Sequence, residues 1–175
     1  DEYHDLDPVI DALAQTRNPS VELHVVGEGE YRARCEARAR AGGVQATFHG
    51  HVPHSQVPEH IACADLCLAP YRTDAFYRGR VTFSTLKVPE YMACARPVVA
   101  SRVGGLAEAV VHERTGLLVA PGDAEALARA LARLCGDAGL RARLGAAGPA
   151  RIAEGFRAEQ MCEAYAQLYR ELLAE

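Results

Sequence analysis

The chain reads as an α/β protein built on a parallel sheet flanked by helices, and three observations predict this. Apolar runs of strand length alternate along the chain with helical stretches that carry one apolar face. Glycine-, proline- and aspartate-containing turns separate them, at Gly27-Glu28-Gly29, Gly50-His51-Val52-Pro53, Gly104-Gly105 and Pro121-Gly122-Asp123. The runs around Leu66 to Ala69 and Val98-Val99-Ala100 show no alternation with polar residues, the pattern of strands buried on both faces. The 175 residues suffice for one core and are taken as one domain, 1–175.

Composition narrows the function. Hydrophobic residues make up 49% of the chain, the net charge is −4 and the isoelectric point is near 6.0, so there is no basic footprint for nucleic acid. No apolar run reaches membrane-spanning length and no signal peptide opens the chain, which points to the cytoplasm. Six cysteines, at 35, 63, 67, 94, 135 and 162, form no C-x-x-C pair and read as reduced core thiols rather than a disulfide framework.

In chain order, residues 5–16 predict a helix with Leu6, Val9, Ile10 and Leu13 on one face. A doubly wound sheet normally opens on a strand, and in its usual order, 3-2-1-4-5-6, that first strand is central. Its place here would lie between the strands at 21–26 and 65–69. These could close up and pair directly, or the slot could be filled from another chain or by a segment not in this sequence. Direct closure would shift every helix on the sheet, so a supplied strand is the expectation. A turn at 27–29 and a helix at 30–41 follow the first of these strands. The turn invites a G-x-G-x-x-G reading, but Arg32 holds the third glycine position, and His49 stands where an acid should hold ribose.

A strand at 44–49 leads into the 50–53 loop, and Ser55 is placed to cap a helix ending near 64. His49, His51 and His54 spell H-x-H-x-x-H with His60 nearby. No clustered cysteine or carboxylate joins them, so they are read as ordinary loop histidines and no metal site is assigned. After the strand at 64–70 comes a long loop from Tyr71 to Phe83. It carries Arg72, Arg78 and Arg80, which suit phosphate as well as they suit a solvated surface. Residues 115–119 form the last strand, and Asp123 caps a helix at 124–134 with Leu127, Leu131 and Leu134 in a stripe. Helices are expected at about 137–154 and 157–173. Met161, Tyr165, Leu168 and Leu172 stripe the second as core or domain-contact surface.

The stretch from Thr82 to Ser101 is the most informative. Ser84 is a good N-cap type, Lys87 adds positive charge near the free amides of a helix start, and Glu90 is the acid of that helix. Alternatively the helix starts at Pro89, a favoured first position, and 84–88 is a loop of free amides. Pro97 ends the helix before the strand. An anion cradle beside an acid is what a nucleotide diphosphate and its ribose require.

Ser84-Thr85-Leu86-Lys87 followed by Glu90-Tyr91-Met92-Ala93 resembles the "SPLK-x-x-EYMA" segment found in one branch of the group 1, retaining, nucleotide-sugar glycosyltransferases of the GT-B fold. Arg96-Pro97-Val98-Val99-Ala100 continues as that family's "x-PVV-A" run. Gly104 to Val110 resembles its "GG-x-x-E-x-V" turn, and Pro121-Gly122-Asp123 its "PGD". The chain departs from the pattern in three places. Thr82 stands where the family has a first glutamate, Ala95 stands where it has glycine, and Pro89 falls inside the helix. Asp5-Leu6-Asp7 spells the D-x-D of a different glycosyltransferase fold and is given no metal role.

The resemblance implies the Rossmann-like C-terminal half of a GT-B enzyme. It implies a nucleotide-diphosphate sugar as donor, retention of configuration, and neither cofactor nor metal. It places the amides of Phe83, Ser84, Thr85 and Leu86 and the Lys87 ammonium on the phosphates, Thr82 in the donor site at the family's first-glutamate position, Glu90 on the ribose and Val52 on the base, with the catalytic residues unassigned. The acceptor would be held by an N-terminal domain, through which any peripheral membrane association would come, and this piece alone would turn over little. The alternatives are a nucleotide-sugar epimerase of the same fold and a non-catalytic Rossmann-like module.

Overall fold

The computed structural model describes residues 6–71 and 86–174. Its elements in chain order are α1 (Leu6–Thr16), β1 (Glu22–Val26), α2 (Arg32–Ala41), β2 (Gln45–Gly50), a 3-10 turn at His54–Gln56, α3 (Val57–Cys63), β3 (Cys67–Ala69), α4 (Lys87–Ala93), β4 (Val98–Ser101), α5 (Gly104–Ala109), β5 (Gly116–Val119), α6 (Ala124–Gly136), α7 (Ala138–Ala146), α8 (Gly148–Gly155) and α9 (Ala158–Ala174).

The described strands pair in parallel but in two separate sheets, β1–β2 and β3–β4–β5. No ladder joins β1 to β3, so the direct closure of 21–26 on 65–69 does not occur among the described residues. What unites the sheets is α1. Its Val9 and Ile10 are fully buried, and they share one core with Leu23 of β1, Val99 of β4, Leu117 of β5 and the Leu127–Leu131–Leu134 stripe of α6. Alternate residues of the same strands face the other way. Val98 and Ala100 of β4 and Leu118 of β5 pack with Val88 and Met92 of α4 and Leu106 of α5. All four residues of β4 are buried, which is why it reads as an unbroken apolar run.

Several boundaries differ from the sequence reading. Ser55 does not cap α3. It lies inside the 3-10 turn, and α3 starts at Val57 with Pro58 in its first positions, where a proline's missing N–H costs nothing. The expected helix at 137–154 is broken into α7 and α8 around Ala147, next to Pro149, which cannot donate back to the preceding turn. At the same break Gly145 and Gly148 press on the carbonyls of Ala95 and Met92. The apolar stripe of α9 is not core, since Met161, Tyr165, Leu168 and Leu172 are all exposed. Nor are all six thiols core: Cys35 and Cys67 are buried, whereas Cys63 and Cys162 are exposed. Asp123 caps α6 as expected, its side chain accepting from the Ala126 amide at 2.8 Å.

The end of α4 explains one departure from the family pattern. Ala95 has φ 56°, a left-handed conformation, and the Ala95 and Arg96 amides donate to the Met92 and Tyr91 carbonyls. This is the hydrogen-bond pattern of a Schellman helix end, which favours glycine at the left-handed residue. Ala95 is exposed, so its methyl group contributes little packing. Ala95→Gly is expected to stabilise the protein by about 1 kcal/mol, the lower end of the left-handed cost for a residue with a Cβ. Urea unfolding of the two proteins checks this; equal or lower stability would mean that the alanine methyl group is a net stabilising contact.

Candidate functional site

The site is built where β3 and β4 end. The apolar β3 runs into Pro70 and then Tyr71, which is 2% exposed. Ser101, the last residue of β4 and 3% exposed, ties that turn down with one hydroxyl. Its Oγ accepts from the Tyr71 amide at 2.9 Å and donates to the Tyr71 carbonyl at 3.2 Å. A buried polar group satisfied in both roles is a rigid anchor. Tyr71 and Ser101 also help line a small open cleft at the carboxyl ends of β3, β4 and β5, together with Leu68 and Val99.

Lys87, the first residue of α4, lies over the Tyr71 ring with Nζ 4.7 Å from the ring centroid. The ring face attracts the ammonium, but it is a weak substitute for water. Burial pushes the Lys87 amine down from its ordinary 10.5 to about 7. Among the described residues no carboxylate forms an ion pair with Lys87. A cation held in partial burial without a carboxylate is a position that an incoming anion would complete. Glu90, in the same first turn of α4, is half-buried. Neither Lys87 nor Glu90 lines the cleft, and Tyr71 is the residue that touches both the cleft and Lys87.

The turns after β1 and β2 stand at the carboxyl end of the other sheet. The Gly27 amide donates to the Gly50 carbonyl at 2.8 Å, which stitches the 27–29 turn to the loop carrying Val52. Arg32 holds the same corner. Its guanidinium donates to Glu28 at 2.7 Å, to Glu36 at 2.9 Å and to the Phe48 carbonyl at 3.0 Å. Arg32 therefore braces the turn, which accounts for an arginine where a dinucleotide fingerprint needs glycine.

The sequence-predicted site residues thus divide into three groups. Leu86, Lys87 and Glu90 come together at the start of α4. Val52, half-buried, sits at the carboxyl end of the other sheet. Thr82, Phe83, Ser84 and Thr85, with the arginines of the 71–83 loop, lie outside the described residues. Pro89 is neither a helix interruption nor the first residue: α4 begins at Lys87, so Pro89 is in the first turn, where no intrahelical donor is needed. The sequence reading gave no role to Tyr71 or Ser101. The available signal was a hydroxyl ending an otherwise apolar strand. Among the described residues, no three histidine, cysteine or acidic side chains converge as a metal site, and no helix is long and apolar enough to cross a membrane.

A family model described as "Glycosyl transferases group 1" matches residues 1–137. A glycogen synthase of Mycobacterium tuberculosis is 31% identical over 168 residues, which cover 95% of this chain and 38% of the relative. A GDP-mannose-dependent alpha-(1-6)-phosphatidylinositol monomannoside mannosyltransferase of Mycolicibacterium smegmatis is 34% identical over 149 residues, covering 81% of this chain and 38% of the relative. The chain spans 38% of the length of each of these curated relatives. Among solved structures, sucrose-phosphate synthase from Thermosynechococcus elongatus superposes with a TM-score of 0.84 at 31% identity, over 99% of this chain and 43% of that one. Anabaena HepE in complex with UDP superposes with a TM-score of 0.80 at 25% identity, over 98% of this chain and 46% of that one. The chain therefore belongs to the group 1 glycosyltransferase family, and its alternating strands and helices and parallel sheets correspond to the C-terminal domain of the GT-B fold.

Proposed function

We propose that this chain binds the nucleotide-diphosphate sugar donor of a retaining glycosyl transfer, to an acceptor held by an N-terminal domain. The observation that carries the reading is Lys87, a partly buried cation over Tyr71 with no carboxylate partner among the described residues, beside Glu90 at the sheet's carboxyl end. In this reading Lys87 and the backbone amides of Phe83, Ser84, Thr85 and Leu86 bind the diphosphate, and Thr82 contributes to the donor site. Glu90 accepts from the ribose hydroxyls, and Val52 packs by the base. No cofactor takes part. Charge that develops on the leaving diphosphate is stabilised by groups already in place, without reorganisation at the moment of transfer. The structural neighbour crystallised with UDP supports the donor class. Among the described residues β1 and β3 do not pair with each other; in this reading one further strand from the rest of such an enzyme lies between them, and this piece alone has little turnover.

Isothermal titration tests the reading. UDP is expected to bind more tightly than UMP, because only the diphosphate reaches Lys87 fully. Glu90→Gln is expected to weaken UDP binding by about 1.5–3 kcal/mol, the loss of a hydrogen bond to a charged group, with the fold unchanged by circular dichroism. Equal affinity for UDP and UMP would sink the phosphate assignment, and an unaffected Glu90→Gln variant would make Glu90 a surface acid.

A further inference from the structure

The histidines do gather, but not as the sequence pattern arranges them. In the β1–β2 ladder His24 stands opposite Thr47 and Val25 opposite Phe48, but Val26 stands opposite Gly50. His49 is the extra residue of a β-bulge, a device that re-aims a side chain. His24 Nδ1 and His49 Nε2 lie 2.9 Å apart. Glu22 Oε2 lies 3.2 Å from His24 Nε2. His60 of α3 packs edge-on against the His49 ring with centroids 4.8 Å apart. His51 and His54 have no part in these contacts.

We propose that His24 and His49 form a two-nitrogen site for a divalent transition-metal ion of the zinc class, with Glu22 orienting His24. The tautomers follow from the geometry. Glu22 accepts from His24 Nε2–H, leaving the Nδ1 lone pair aimed at His49. A carboxylate on the outer nitrogen of a ligating imidazole is the usual way such a ring is fixed and made more basic. Without metal, His49 Nε2–H donates to His24 Nδ1. When the ion enters, that proton moves to His49 Nδ1 and both inner lone pairs bind the ion, with no net change in charge on the rings. Two imidazole nitrogens on one tetrahedral zinc stand about 3.3 Å apart, so the pair opens by about 0.4 Å and the two exposed rings turn to bring both lone pairs on to the ion.

The His24 and Glu22 side chains are 51% and 56% exposed, so ions reach the pair from solvent. No third ligating group converges on it among the described residues, and water completes the coordination. Imidazole pairs favour zinc, nickel and copper over magnesium or calcium.

The test is titration of zinc chloride into the untagged full chain by calorimetry at neutral pH, in a Cys63→Ser/Cys162→Ser background that removes the exposed thiols. The proposal expects a single saturable zinc event and zinc-dependent thermal stabilisation. His24→Ala or His49→Ala should weaken it by about tenfold or more, and Glu22→Gln by about tenfold. Magnesium should give no heat, and a His51→Ala/His54→Ala double variant should bind as the parent does. No saturable zinc event in the parent would overturn the proposal. So would unchanged binding in His24→Ala and His49→Ala proteins whose circular dichroism is native, or loss of binding in the His51/His54 double variant.

Discussion

Gly148→Leu is expected to destabilise the protein by about 3 kcal/mol or more, at or beyond the upper end of ordinary overpacking. A Cβ on Gly148 would sit 2.5 Å from the Met92 carbonyl oxygen and 3.1 Å from the Met92 Cα. Both are backbone atoms of α4, and neither yields as a side-chain tip would. A Cβ on Gly145 would likewise collide with the Ala95 carbonyl oxygen. The break between α7 and α8 therefore rests directly on the end of the helix that begins with Lys87 and Glu90. Pushing α8 away tilts α4, so UDP affinity should fall together with stability. The control is Gly155→Ala, at the end of α8, where a Cβ meets nothing within 4 Å. It should be neutral or slightly stabilising. Urea unfolding and UDP titration of the two variants decide the matter. A Gly148→Leu protein of parental stability would mean that the α8–α4 contact is loose.

Lys87→Met carries the second large effect. It should weaken UDP binding about 10- to 100-fold, the range of a lost hydrogen bond to a charged group, and remove most of the advantage of UDP over UMP. It should not unfold the domain. The Lys87 amine titrates near 7 in the folded protein and at its ordinary 10.5 when unfolded. Between those values the unfolded chain binds more protons, so stability rises as pH rises from about 7 towards 10.5. Below pH 7 the folded protein carries the full cost of the buried ammonium. Methionine removes that cost, so the variant should be more stable than the parent at pH 7 and below. Stability lost and affinity gained through one side chain is the signature of a group held for a ligand. A Lys87→Met protein that is less stable and binds UDP as before would make the lysine a structural residue.

Much of this was legible in the chain. The strands betrayed themselves by apolar runs, and β4 did so most clearly because both of its faces are buried. Asp123 announced α6 because an aspartate before an amphipathic stripe has a free amide to accept from. The proposed roles of Lys87 and Glu90 start from their position, charged residues in the first turn of a short helix that leads into a buried strand. What escaped depended on contacts distant in sequence. Tyr71 and Ser101 are tied across 30 positions, and neither residue type marks such a pair. Gly145 and Gly148 look like weak points in a helix until Met92 and Ala95 are placed against them. His24 stands alone in its strand, and only the register with the bulge at His49 brings the rings together. The 137–154 stretch looked continuous because Leu140, Leu144 and Ile152 keep helical spacing across the break, although the first two join the α1 core and Ile152 packs on the α4 side.

Proton uptake tests most directly whether Lys87 is a desolvated cation site that a diphosphate completes. At pH 8 the Lys87 amine is mostly neutral in the free protein. A bound diphosphate favours the ammonium and raises its pKa, so binding must draw a proton from the buffer. UDP titrated at pH 8 in buffers of different ionisation enthalpy should show uptake approaching one proton per UDP bound, with affinity falling as pH rises above about 7. The uptake should vanish in Lys87→Met. Tight UDP binding with no proton uptake, or with the same uptake in the variant, would contradict the account.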